Sequence, residues 1–177
     1  MASVTQPLRD EHRELIPHIE RLRRVADWVG EAPITTLRQG VTEAYEFLQH
    51  HLIPHAEAEE RALYPVVGRL LGAAEATATM SRDHVEVGRL TKELGALRTK
   101  LSRARLGRAQ AKALRRVLYG LYGLVKVHFA KEEEIYLPLL DARLDAAAAR
   151  EMFRSMGAVA GEAKARRRGR GWATAER

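Results

Sequence analysis

The sequence predicts an all-α protein: an antiparallel up-down-up-down four-helix bundle followed by a short C-terminal helix and a basic tail. Three observations carry that prediction. Apolar residues recur at three- and four-residue spacing through most of the chain, the period of an amphipathic helix. Glycines and prolines cut this pattern into four long segments with short connections, which favours antiparallel neighbours. No alternating run long enough to make a useful strand occurs.

The elements come in order along the chain. Between Leu8 and Val29, apolar residues fall at positions 15, 16, 19, 22, 25 and 29. Gly30 ends that helix, and Pro33 suits the first turn of the next. A second helix is expected from about Ile34 to Leu71, stopping at Gly72. A third runs from about Ala73 to Leu101, with Gly88 and Gly95 as weak points. The stretch "SRARLGRAQ" around Gly107 reads as a connection. A fourth helix extends from about Arg108 to Leu140, and "DARLDAAAAREMFRSMG" forms a short fifth, capped near Asp141 or Asp145. Prolines 17, 54, 65 and 138 each remove a backbone hydrogen bond and are expected to kink or end a helix. Residues 1–160 are then one bundle, and 161–177 a basic tail expected to be disordered.

Composition narrows the chemistry. The 177 residues fit a single domain, and none is cysteine. That excludes disulfides, iron–sulfur clusters and thiolate zinc sites, leaving His and carboxylate as the strong metal ligands. No apolar run approaches the roughly 20 residues of a membrane span, and "MASVTQPLRDEH" lacks the pattern of a signal peptide. A cytoplasmic protein without membrane contact is expected. The net charge of +7 sits largely in Ala163–Arg177, with a further basic stretch from Lys92 to Arg116. A solvated charged tail is the commoner explanation for such a run; nucleic-acid contact is the less favoured one.

The chemically distinctive feature is a repeat. His55-x-x-x-Glu59 is matched by His128-x-x-x-Glu132, and Pro65 and Pro138 each come six residues after the Glu. His12 and His84 open the two halves, each directly after an acid, Glu11 and Asp83. His12 to His55 spans 43 residues and His84 to His128 spans 44. Residues four apart on a helix share a face, so each His–Glu pair can reach a common ion. Each candidate also falls on an apolar stripe. These are Leu8, His12 and Leu15 or Ile16; Leu48, Leu52, His55, Glu59, Leu63 and Val66; and Leu121, Leu124 or Val125, His128, Glu132, Ile135 and Leu139. Ionisable groups in a dry core are costly unless cations neutralise them, so metal binding is favoured over solvated or hydrogen-bonded histidines. Nitrogen and carboxylate without sulfur suit a pair of iron or manganese ions.

This series, with "EERALYP" and "EEEIYLP" after the paired histidines, resembles the hemerythrin-like (HHE cation-binding) family over about residues 5–141. The resemblance implies a four-helix bundle with a non-haem di-iron centre, two iron ions bridged by oxo or hydroxo oxygen, with manganese or zinc as possible substitutes. It implies that His12, His55, His84 and His128 are terminal ligands and that Glu59 and Glu132 are bridging carboxylates. Oxygen-carrying members have a second His four residues after the third-helix His; here that position is Gly88. One metal position is then open, or another side chain fills it. His51, one turn before His55, Tyr45 and Glu133 are candidates for an extra ligand or a bond to a ligand. Glu57 and Glu60 are further nearby oxygens, and His18 and His50 are expected at the surface.

The function implied is binding of O2, H2O2 or NO, with Gly88 shifting the expectation from carriage towards peroxide decomposition of a catalase- or peroxidase-like kind in oxidative-stress defence. The alternative is a metal- or redox-dependent sensor or interaction module without turnover. Iron storage is weaker, and hydrolysis weaker still, because no nucleophile–base pair stands out.

Overall fold

A computed structural model describes residues 3–103 and 106–175 of the chain, and every regular element among them is helical. Helix α1 (Gln6–Asp27) buries Leu8, His12, Leu15, Ile19, Leu22 and Val25, one face at three- and four-residue spacing. Ile16 lies outside that face and is exposed. Gly30, at φ 88°, makes the turn that only glycine adopts without strain. Helices α2 (Ile34–Phe47), α3 (Ile53–Ala58) and α4 (Tyr64–Leu71) form one rod, joined by π-helical turns at Leu48–Leu52 and Glu59–Leu63. Gly72, at φ 67°, ends the rod. A 3₁₀ turn (Ala74–Thr77) leads into α5 (Ala78–Arg103). Helix α6 (Arg108–Lys131), a π-helical turn (Glu132–Tyr136) and α7 (Leu137–Arg143) make a further rod. Part of the expected connection, residues 104–105, lies outside the described residues; Gly107 precedes α6 as its N-cap.

Pro54, Pro65 and Pro138 mark π-turns rather than helix ends, and Pro17 lies inside α1 without ending it. The N–H of Ile53 bonds to the Leu48 carbonyl, that of Tyr64 to Glu59, and that of Leu137 to Glu132. Each is a five-residue step, and the next residue in each case is proline: Pro54, Pro65 and Pro138. A proline there lacks its N–H where the hydrogen-bond register has already shifted, so the rod continues. The inserted residue also turns the buried face by one position. Past Glu132, Tyr136, Leu137 and Leu140 are buried in place of the expected Ile135 and Leu139, and Ile135 is exposed. Past Glu59, Val67 replaces Val66 in the core.

Helix α1 packs on α2 and α6, and α5 packs on α2 and α6, enclosing a core that includes Leu22, Val25, Val41, Leu48, Leu94 and Leu118. A second core lies beyond the His and Glu residues and includes Leu8, Leu63, Val67, Met80, Leu137 and Leu140. The polar repeat therefore sits between two apolar clusters, shielded from water at both ends.

The C-terminal region departs from expectation. Helix α8 (Ala146–Ala175) has 30 residues where a short helix and a disordered tail were expected. Its N-cap is Asp145, whose Oδ1 accepts from the N–H groups of Ala147 and Ala148 at 2.8 Å each. Asp141 instead accepts bonds from Ser3 and Thr5. Met152, Met156 and Val159 of α8 join the second core, and the helix lies along α3 and the Glu59–Leu63 turn. Burying each such side chain contributes about 1.5–3 kcal/mol, which explains why the helix does not end near Gly161. Arg166 and Arg167 both pair with Glu57. The remaining side chains of the basic tail, from 168 onward, lie outside the described residues. Among the described residues no helix is long and apolar enough to cross a membrane.

Candidate metal centre

The π-turns set the site. Glu59 and Glu132 each open one, directly after the α-helical turn that carries His55 or His128. His12 on α1 and His84 on α5 approach from the other two helices. All six side chains meet in one layer, with Glu59 and Glu132 fully buried, His12, His55 and His128 nearly so, and His84 slightly less.

The distances divide them into two overlapping groups. His12, His55, Glu59 and Glu132 each offer one donor atom within 4.8 Å of the others; Glu59, His84 and His128 do the same. In the first group, His55 Nε2 is 2.9 Å from Glu59 Oε1, and His12 Nε2 is 3.4 Å from Glu132 Oε2. In the second, His84 Nε2 is 3.3 Å from Glu59 Oε2 and 2.9 Å from His128 Nε2. Glu59 thus supplies one oxygen to each group.

Several of these buried atoms have no hydrogen-bond partner: Nε2 of His12 and His55, both oxygens of Glu59, and Oε2 of Glu132. Burying carboxylate and imidazole atoms unpaired is costly. Apart from His84 Nε2 and His128 Nε2, which are placed to share one proton, the donors converge on common points without a hydrogen bond between them, which is the arrangement a cation satisfies. Donors about 2.0–2.2 Å from one ion lie roughly 3–4 Å apart, comparable to the spacing here. The residues present fit a pair of divalent ions with nitrogen and oxygen ligands.

An outer ring of carboxylates fixes the imidazoles. His12 Nδ1 donates to Glu133 Oε1 at 2.8 Å, His84 Nδ1 to Glu60 Oε1 at 2.7 Å, and His128 Nδ1 to Asp83 Oδ2 at 3.1 Å. His55 Nδ1 lies 3.1 Å from Glu11 Oε1, close enough for charge attraction though poorly angled for a hydrogen bond. With Nδ1 engaged in this way, Nε2 of each ring is turned to the centre. The ring is itself anchored. Arg9 pairs with Glu133, Lys131 with Asp83, and Ser81 donates to Glu60 at 2.8 Å.

This geometry governs the electrostatics. Burial opposes protonation of His55, but the charge of Glu59 and the contact with Glu11 outweigh it and hold the ring well above the ordinary imidazole value. His128 is pushed up to about 10 by Glu132 and Glu59 against the same burial, and His84 is raised by Glu59 and Glu60. Burial works against ionisation of Glu59 as well, yet His55, His12 and His128 keep it well below the usual carboxylate range. Glu11, Glu60 and Asp83 are likewise held low against burial, by His55, by His84 with Ser81, and by Lys131 with His128. A cation arriving at this centre takes over the role of those protons.

Tyr64 is the participant that the repeat did not reveal. Its hydroxyl donates to Glu132 Oε1 at 2.9 Å and lies 3.3 Å from His128 Nε2 and 3.5 Å from His84 Nε2. Burial, with the charges of Glu59 and Glu132, raises its pKa far above the usual phenol value, so it stays a neutral donor. It could not be found by symmetry, because its counterpart nine residues after His128 is Leu137. The outer carboxylates were partly in view, since Glu133 and Glu60 are among the oxygens expected near the site. Glu11 and Asp83 precede the first His of each half, and Glu60 and Glu133 come directly after the Glu.

The other candidates lie elsewhere. His51 is exposed, its ring alongside Phe47 at 6.2 Å between centroids. The π-turn at Leu48–Leu52 breaks the four-residue register that would have aligned it with His55. Tyr45 packs over Gly95 and under the Arg98 guanidinium, 4.2 Å from its ring centroid. Ten residues of helix, about 15 Å, separate it from His55. Glu57 belongs to the α8 ion pairs. His18 is exposed and stacked on Phe47, and His50 pairs with Glu46. Gly88 opens on a cavity of about 180 Å³ that also touches His84 and Glu60, and a Cβ there would meet nothing within 4 Å.

The comparisons with known proteins agree with the site. No curated protein and no solved structure matches the chain. The model of the hemerythrin HHE cation binding domain matches residues 3–140, which contain all six converging side chains and all four outer carboxylates. The chain belongs to the hemerythrin HHE cation binding domain family.

Proposed function

We propose that this chain binds two iron ions, held by His12, His55, Glu59 and Glu132 on one side and by Glu59, His84 and His128 on the other. The reading extends to binding O2, H2O2 or NO there and to decomposing peroxide. The observation that carries it is the set of buried, unpartnered donor atoms centred on Glu59. Iron supplies Lewis acidity and the electrons for O–O chemistry when bound; manganese or zinc would fit the same donors. The chain's own residues do the rest. Glu60, Glu133, Asp83 and Glu11 hold the imidazoles in orientation. Phe129, stacked on His12 at 4.1 Å, excludes water from the first group. Tyr64 presents the nearest O–H to the His84 and His128 nitrogens and donates it to Glu132.

The scaffold belongs to the same proposal, an antiparallel up-down-up-down four-helix bundle over residues 1–160. Cross-helix pairs support it, since partners rise on one helix as they fall on the next. Arg38 bonds to Leu101 and Glu46 to Arg98; Glu20 pairs with Lys126 and His12 with Glu133. Metal analysis with absorption spectra before and after peroxide tests the function. Two irons per chain, spectral change and oxygen evolution are expected. Iron-loaded protein that neither changes its spectrum nor evolves oxygen would refute peroxide decomposition. A sensor reading is favoured by one observation: Arg166 and Arg167 tie α8 to Glu57, on the helix that bears His55. Partner binding that tracks metal state and requires residues 163–177 would support it.

A further inference from the structure

An open cavity lies beside the centre rather than in it. It has a volume of about 620 Å³ and lies between α4 and the start of α5, with Tyr64 and Glu60 on its inner side and Arg69, Ala74 and Thr77 among its outer lining. A diatomic ligand or peroxide needs little more than the roughly 30 Å³ of a water molecule. The cavity is instead in the range of about 300–1,000 Å³ typical of sites for small organic molecules.

Its lining offers one cation without a protein partner among the described residues, the exposed Arg69. Glu60 is committed, Oε1 to His84 and Oε2 to Ser81. Arg69 has no hydrogen bond or ion pair among the described residues, and it is the single cation on the wall. Pro65 offers exposed apolar surface and the almost fully buried Tyr64 closes the inner wall, while Gly68, Gly72, Ala73 and Ala74 leave the space between them free of bulk. Gly68 lets the Ala73 backbone pack close, since a Cβ would come within 3.2 Å of the Ala73 carbonyl oxygen.

We propose that this cavity binds a small aromatic carboxylate, its carboxylate on Arg69 and its ring against Pro65 and Tyr64. A planar body fits walls of small residues, and a carboxylate answers a guanidinium with two parallel bonds. The bound ring lies beside Tyr64 and Glu60, each of which is one hydrogen bond from a residue of the centre. The proposal adds an organic ligand beside the di-iron centre, and rests on the di-iron reading only for the chemistry after binding.

Calorimetric titration of the metal-loaded full chain with benzoate, and with benzyl alcohol as its neutral counterpart, tests it. Benzoate should bind saturably and about tenfold or more tighter than benzyl alcohol. Arg69→Gln, which removes the anchor, and Ala74→Phe, which fills an exposed part of the wall, should each weaken benzoate about tenfold with metal content unchanged. Equal binding of both probes, or benzoate affinity indifferent to the two substitutions, overturns the proposal. So does absence of saturable binding. That result would leave the peroxide reading intact if spectrum and oxygen evolution respond. Conversely, a chain that binds benzoate through Arg69 but takes up no iron would refute the di-iron reading alone.

Discussion

The two halves of the centre repeat each other and then differ at two places. His12 corresponds to His84, His55 to His128, and Glu59 to Glu132. The outer carboxylates obey the same relation: Glu11 faces His55 as Asp83 faces His128, and Glu60 faces His84 as Glu133 faces His12. The first difference is Tyr64, which stands where the other half has Leu137 and draws Glu132 Oε1 into a hydrogen bond. The second is Gly88, four residues after His84, where the first half has Ile16 four residues after His12. Both differences fall on the His84 side. That side borders both cavities, whereas Phe129 stacks against the His12 side. Helical periodicity dictates what the halves share, and single residues dictate where a ligand can approach.

The largest consequence concerns the two glutamates. Glu59 belongs to both donor groups, Glu132 to one. Glu59→Ala should abolish binding of both ions and lower stability of the metal-free chain by roughly 3–5 kcal/mol, since it leaves imidazolium buried without its counter-charge. Glu132→Ala should leave the His84 group with its donors and retain part of the metal. Elemental analysis of the two purified variants decides the matter; equal metal content in both would show that the groups are not organised around Glu59.

Next come the outer carboxylates. Glu60→Gln and Glu133→Gln should each reduce metal affinity about 10- to 100-fold, because each lets one imidazole turn. Competition with a chelator measures this. If the halves are inequivalent, Glu60→Gln should also change the rate of peroxide reaction, while Glu133→Gln should change affinity with little effect on rate.

Much of this was legible in the sequence, and the part that was not has a physical cause. The six converging residues emerge from spacing, because an α-helix carries residues four apart on one face whatever surrounds it. Past each glutamate that rule failed: Ile135 and Val66 were expected inside, and Tyr136 and Val67 are there instead. A π-turn adds a residue, and nothing in apolar periodicity announces it except the proline just after it. Tyr64 was missed for the same reason, since it closes such a turn. His51 was misplaced by another. Helix α8 was cut short because its apolar residues are sparse; they become core only when Ala58 and Ala62 present a flat surface to them.

A smaller effect concerns pH. His128 rises from 6.5 to about 10 in the fold, with His84 and His55 also raised. A raised histidine contributes its full stability below about 6.5 and loses it as pH climbs through the folded value. Glu59, depressed, contributes above its unfolded value of 4.5 and loses that as pH falls through its folded value. Chelator-stripped protein should therefore melt at its highest temperature between about pH 4.5 and 6.5 and progressively lower towards pH 10. Iron-loaded protein should not share that decline, since the metal replaces the protons, and its binding should release them. Melting curves across pH with and without chelator check both statements; parallel curves would mean the histidines hold no such protons.

The smallest effect tests the second difference between the halves. Gly88 lies within α5 with open space where a Cβ would be, so Gly88→Ala should raise stability by about 0.5–1 kcal/mol through helix propensity alone. Gly95 is the internal control: a Cβ there would come within 2.8 Å of the Tyr45 ring, and Gly95→Ala should gain less or lose. Gly88→Ile makes the position equal to Ile16 in the other half and fills the 180 Å³ cavity beside His84. Metal content should be unchanged, while the rate at which NO reaches the iron-loaded centre in stopped flow should fall. An unchanged rate would show that small ligands do not pass Gly88. Its missing side chain would then be a feature of packing, and the larger cavity at Tyr64 would be the route to the centre.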